Sequence, residues 1–146
     1  MTATAQQLEF STTLSTNPVP APQRADVLAA PGFGVWFPDH MVPATWTPDS
    51  GWHDAGVRPY APLSLDPATA VFHYAQSIFE GLKAYRHADG SIWAFRPEVN
   101  AARFARSARR MALPELPVSA FVDALELLVR TDAEWVPSGG EASLYL

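Results

Sequence analysis

The chain has 146 residues, 48% of them hydrophobic and 17% charged, and ten basic against fifteen acidic side chains give a formal net charge of −5. These figures fit one domain with a sizeable core, and exclude a collagen, a coiled coil or a wholly disordered chain. No run of about 18 apolar residues is present to cross a membrane, and the acidic balance argues against a nucleic-acid or anionic-membrane partner.

Cysteine is absent, which removes disulfides and thiolate metal sites. No basic segment followed by an apolar stretch opens the chain, so no secretory signal is read and a cytoplasmic location is expected. Nine of the ten basic residues are arginine, and Lys83 is the only lysine. Chemistry that needs an amine nucleophile must therefore use Lys83, the N-terminus or another chain.

Residues 1–31 read as a flexible N-terminal tail. Pro18, Pro20, Pro22 and Pro31 argue against helix and central strand, and bulky core anchors are scarce. Residues 32–146 form the expected domain. Phe33, Val35 and Phe37 alternate, which suits a short half-buried strand. Trp46, Trp52 and Tyr60 lie among Pro43, Pro48, Pro59 and Pro62, a pattern of strands and turns. Two apolar runs, Leu82–Tyr85 and Ile92–Phe95, flank Asp89-Gly90 and predict a β-hairpin.

A helix is predicted over 97–112. Pro97 suits its first turn. Ala101, Phe104, Ala105, Ala108, Met111 and Ala112 follow helical spacing, while Arg103, Arg106 and Arg110 lie off that stripe. A second helix is predicted from about Ser119, as N-cap, to Trp135, with Phe121, Val122, Leu125, Leu128 and Val129 on one face. Residues 142–146 read as a strand.

Candidate chemistry is sparse. Asp39-His40 sets a carboxylate beside an imidazole, but neighbours on a strand point to opposite faces. His40, His53, His73 and His87 show no i, i+4 pairing, so no metal site is expected. The arginines at 103, 106, 109 and 110 read either as a solvated helix face or as an anion-recognition surface. Glu80 is either a buried carboxylate with a raised pKa or a surface group beside a glycine bend. Tyr74, Phe79 and Tyr145 read as ordinary core aromatics on composition alone.

One ordered series goes further. It begins with Phe33-Gly34 and the segment Phe37-x-Asp39-His40-Met41, followed by His73-Tyr74-Ala75-Gln76-Ser77-Ile78-Phe79-Glu80-Gly81-Leu82-Lys83-Ala84-Tyr85. Phe95-Arg96-Pro97-x-x-Asn100-x-x-Arg103, Arg106-Ser107-Ala108-x-Arg110-Met111, Trp135-Val136-Pro137 and Ser143-Leu144-Tyr145 follow. The series resembles the branched-chain amino-acid aminotransferases, fold type IV enzymes that use pyridoxal 5′-phosphate, across residues 33–146.

The resemblance implies an α/β (α+β) domain, mainly antiparallel sheet with flanking helices, corresponding to the smaller N-terminal domain of such an enzyme. It implies that Arg103 binds the cofactor phosphate. Tyr74 and Phe79, with Phe33 and Tyr145, would line the pocket for a branched side chain. The implied reaction moves the amino group of leucine, isoleucine or valine to 2-oxoglutarate, in a homodimer when complete. No catalytic residue is assigned, because the Schiff-base lysine of the family is expected outside residues 1–146, and Lys83 does not match it. The chain alone is accordingly expected to be inactive. A D-amino-acid aminotransferase or aminodeoxychorismate lyase on the same fold, and a non-catalytic dimerising domain, are the alternatives.

Overall fold

A computed structural model describes residues 8–139 and 142–146. The fold is α+β, as the resemblance implies. The elements in order are β1 (Phe10–Thr12), α1 (Ala21–Ala29), β2 (His40–Met41), β3 (Thr45–Thr47), β4 (Gly51–His53), β5 (Ala55–Pro59) and α2 (Ala70–Tyr74). There follow β6 (Lys83–Arg86), β7 (Ile92–Ala94), α3 (Pro97–Arg110), α4 (Val118–Thr131), a 3-10 turn (Ala133–Trp135) and β8 (Leu144–Tyr145).

Three small sheets organise these strands. In the first, β5 is central, with β1 parallel on one side and β2 antiparallel on the other. β3 and β4 form a separate antiparallel pair. In the third, β6 is central, antiparallel to both β7 and β8. Helices α3 and α4 pack on one another through small residues, with Ala101, Ala108 and Ala120 all buried, and the Phe104 and Phe121 rings meet at 5.5 Å. Val57, Trp135 and Val136 complete the core.

The hairpin at 83–94 and both long helices form where the patterns predict them. In the hairpin turn Gly90 has φ +87°, the Asp89 carboxylate accepts from the Ser91 backbone N–H at 2.9 Å, and the strands part by five residues. Helix α4 starts one residue before Ser119, which lies inside it without capping. It yields to the 3-10 turn before Trp135.

Two expectations are corrected. Residues 33–37 are not a strand: Gly32 and Gly34 both hold positive φ, and Phe33, Val35 and Phe37 are exposed. Alternation of bulky residues cannot make a strand where the backbone turns left-handed between them. Within residues 8–31, the prolines do not prevent regular structure. Pro22 sits in the first turn of α1, where no N–H is required, and β1 pairs with β5 over three residues.

That N-terminal segment is fastened by the two residues suspected of acid–base chemistry. Asp39 accepts from the Val19 backbone N–H and from the Trp135 indole N–H, both at 2.7 Å. His40 Nε2 accepts from the Ser15 backbone N–H at 2.9 Å, so its proton is on Nδ1, which donates to Asp132 at 2.6 Å. Both side chains are committed to structure, in different directions, and form no dyad. Among the described residues no helix is long and apolar enough to cross a membrane. None of their His, Asp and Glu side chains cluster in threes able to hold a metal ion.

Candidate functional site

The segment Phe79-Glu80-Gly81 enters β6, and α3 lies across it. Asn100 and Arg103 are three residues apart on α3 and so share a face; both reach Glu80. The Glu80 Oε2 accepts from Arg103 Nε at 2.6 Å. Its Oε1 accepts from Arg103 Nη2, from the Gly81 backbone N–H at 3.0 Å and from Asn100 Nδ2 at 3.2 Å. Asn100 Nδ2 also donates to the Gly81 carbonyl at 3.0 Å. Four donors thus converge on the carboxylate, three on Oε1 and one on Oε2.

Glu80 lies near the molecular surface but is roofed by these partners. Its side chain is 4% exposed, whereas that of Arg103 is 60% exposed. The Arg103 guanidinium, opposed by burial and helped by Gly81 and Asn100, lowers the Glu80 pKa from 4.5 to about 2. Arg103 is in turn pushed above its ordinary value, chiefly by the hydrogen bonds it donates to the Glu80 carboxylate. The carboxyl is therefore fixed as an anion, the opposite of the raised-pKa alternative.

Guanidinium carries five N–H donors in one plane. Two meet Glu80, and the remainder face outward. Beyond them lies an open depression of about 410 Å³ lined by Ile78, Phe79, Arg103, Arg106, Ser107, Arg110 and Met111. Arg106 and Arg110 form no ion pair with a described residue, while Arg109 is taken by Glu115 at 2.7 Å. The depression is thus a concentrated positive surface beside an exposed phenyl ring.

The five residues singled out for cofactor and side-chain recognition fall into two neighbouring groups and one outlier. Arg103 and Phe79 share the depression. Phe33 and Tyr145 meet edge-to-face, ring centroids 5.2 Å apart. Tyr145 is held on β8 by its register opposite Lys83 and by reciprocal 2.9 Å backbone bonds between Leu82 and Leu146. Its hydroxyl presses so closely on Gly81 that a Cβ there would overlap it. The Phe79–Gly81 segment therefore links the two groups.

Tyr74 stands apart, at the end of α2 and 81% exposed, before Ala75 turns left-handed at φ +50°. None of Tyr74, Phe79 and Tyr145 is a core aromatic; exposures of 81%, 77% and 39% overturn the composition-based reading. Lys83 is also exposed. His73 is spent on the Pro67 carbonyl at 2.7 Å and His53 on the Gly51 carbonyl at 2.9 Å. Sequence reasoning gave Asn100 no role and left Glu80 undecided. Separations of 20 and 23 residues carry no periodic signal that could pair them with their partners.

No family model matches the chain. Individual relatives do. A probable branched-chain-amino-acid aminotransferase of Streptomyces coelicolor is 60% identical over 133 residues, 90% of this chain and 37% of that protein. The branched-chain-amino-acid aminotransferase of Mycolicibacterium smegmatis is 56% identical over 140 residues, 95% of this chain and 38% of that protein. That match reaches well into residues 1–31, which the motif series leaves out. A branched-chain-amino-acid transaminase of Bacillus subtilis is 46% identical over 115 residues, 79% of this chain and 32% of that protein. The chain spans about 37% of the length of the curated relatives it matches. By its sequence it belongs to the branched-chain-amino-acid aminotransferases, of which it represents an N-terminal portion.

Proposed function

We propose that the chain supplies the phosphate-binding and side-chain-recognising part of a pyridoxal 5′-phosphate-dependent aminotransferase. That enzyme moves the amino group of leucine, isoleucine or valine to 2-oxoglutarate. The carrying observation is the outward edge of Arg103, locked by Glu80 and set in a depression with Phe79, Arg106 and Arg110. A planar guanidinium with unused donors, among further arginines, fits a phosphate dianion. The relatives' names favour the branched-chain reading over a D-amino-acid aminotransferase or a lyase.

When bound, pyridoxal phosphate supplies the carbonyl and electron sink that amino transfer needs. This chain's own residues bind, orient and exclude water. Arg103 would hold the phosphate through the N–H groups that Glu80 leaves free. Phe79 and the Phe33–Tyr145 pair would offer apolar surface to a branched hydrocarbon side chain, and Tyr74, apart from them in this structure, would join them in the complete enzyme. Nothing in the depression is an amine. Lys83 stands on β6, opposite Tyr145 in register, so proton movement at the amino acid belongs to a lysine supplied by another part of the protein. A homodimer of the complete protein, in the cytoplasm, belongs to the same proposal.

The test is a complete enzyme in which residues 1–146 replace the matching portion of the Streptomyces relative. Glutamate formation from 2-oxoglutarate that depends on leucine, isoleucine or valine is expected. A folded chimaera that binds pyridoxal phosphate but transaminates none of the three would reject the proposal. The chain by itself is expected to form no glutamate from leucine and 2-oxoglutarate, with or without added cofactor.

A further inference from the structure

Arg103 is exposed, and a free arginine side chain samples many rotamers. Here it does not. Glu80 grips Nε and Nη2, and Glu80 is itself gripped by Asn100 and Gly81. The restraint sits wholly on one side of the guanidinium, leaving the other edge toward the depression.

Two effects on an incoming phosphate oppose one another. Glu80 brings a negative charge close to a dianion, which repels it. It also removes the side-chain disorder that binding would otherwise have to overcome. Burial decides between them. Glu80 is 4% exposed, with both oxygens hydrogen-bonded and its charge paired with Arg103, so it cannot be released to solvent without stranding a covered carboxylate. Arg106 and Arg110 meanwhile keep the depression positive.

We infer that Glu80, supported by Asn100, is a positioning residue that presets Arg103 for a phosphate monoester bound in the depression beside Phe79. The inference rests on the phosphate role proposed for Arg103. It assigns Glu80 no contact with the ligand.

The experiment compares pyridoxal 5′-phosphate with pyridoxal, which lacks the phosphate, in the complete chimaeric enzyme. Dissociation constants are read by absorbance and by the ³¹P shift of the bound ester. The ratio of the two constants isolates the phosphate contribution, and the pyridoxal arm reports whether the site is still folded. Arg103→Ala should lower the phosphate preference by about 10- to 100-fold, the size of a lost charge-assisted contact. Glu80→Gln should lower it about tenfold with pyridoxal binding unchanged, and Asn100→Ala, which disturbs neither charge, by a few-fold. Combined with Arg103→Ala, Glu80→Gln should add nothing further.

If Arg103→Ala spares the preference, the phosphate role falls, and the inference with it. If Arg103→Ala abolishes the preference but Glu80→Gln preserves or strengthens it, the role stands. Glu80 is then a competitor rather than a support, and the inference is overturned.

Discussion

Asp132 holds His40 twice, accepting from its backbone N–H at 3.0 Å and from its imidazole Nδ1 at 2.6 Å across 92 residues of sequence. Both side chains are buried, at 3% and 8% exposure. Asp132→Ala strands two buried donors. It should cost about 2–4 kcal/mol, and Asp132→Asn should recover only part, since an amide offers one carbonyl oxygen to two donors. Urea denaturation of the three proteins measures this. Early proteolysis within residues 13–20 should accompany the loss.

The Glu80–Arg103 pair makes stability depend on acidity. The folded pKa of Glu80 is lowered from 4.5 to about 2. A lowered carboxyl contributes stability that is fully present above its unfolded pKa and is lost as pH falls through the folded one. The stability advantage over Glu80→Gln should therefore be greatest above about pH 5, shrink below pH 4.5 and vanish near pH 2. Denaturation midpoints for both proteins between those limits give the curve. A difference that stays flat with pH would contradict the ion pair.

Gly81 has no room for a side chain. Its Cβ would overlap the Tyr145 hydroxyl and crowd the ring behind it. Gly81→Ala should cost about 1–3 kcal/mol by overpacking. Tyr145→Phe, which deletes the nearest atom, should relieve part of that cost in the double variant. A thermodynamic cycle on the four proteins measures the coupling. The same displacement should loosen Phe33, which leans on the Tyr145 ring.

Helix α3 ends in a Schellman motif occupied by the wrong residue. The Leu113 N–H bonds the Ala108 carbonyl at 2.9 Å and the Ala112 N–H bonds the Arg109 carbonyl at 3.2 Å, with Ala112 at φ +55°. Glycine is the usual occupant, because a Cβ is strained in the left-handed region. Ala112→Gly should stabilise by about 0.5–1 kcal/mol after the larger unfolded-state entropy of glycine is counted. A higher thermal midpoint is the readout.

Much of the framework was legible because its signals are local. Asp89-Gly90 specifies a turn within four residues, and the helical stripes of α3 and α4 repeat within eighteen. Where the reading failed, the deciding contacts are distant or conformational. Prolines in 18–31 looked incompatible with structure, yet Asp39 and His40 anchor Val19 and Ser15 to Asp132 and Trp135, just beyond α4. The alternation at Phe33, Val35 and Phe37 looked like a strand, until two left-handed glycines broke it. Of the site, Arg103 stood out from the motif it completes. Its partner Glu80 did not, since pairing at a separation of 23 residues is a product of the fold.

The fastening of residues 15–40 also has a consequence in time. Neither Asp39 nor His40 finds its distant partner until Asp132 and Trp135 have left the ribosome, 92 and 96 residues later. At roughly 5–20 residues per second, that is a wait of about 5–20 seconds. During it β1 and α1 can associate with β5 but lack the buried polar contacts that keep them there. The nascent arm is therefore open to chaperones and proteases throughout that interval, and the emergence of a single short turn closes it.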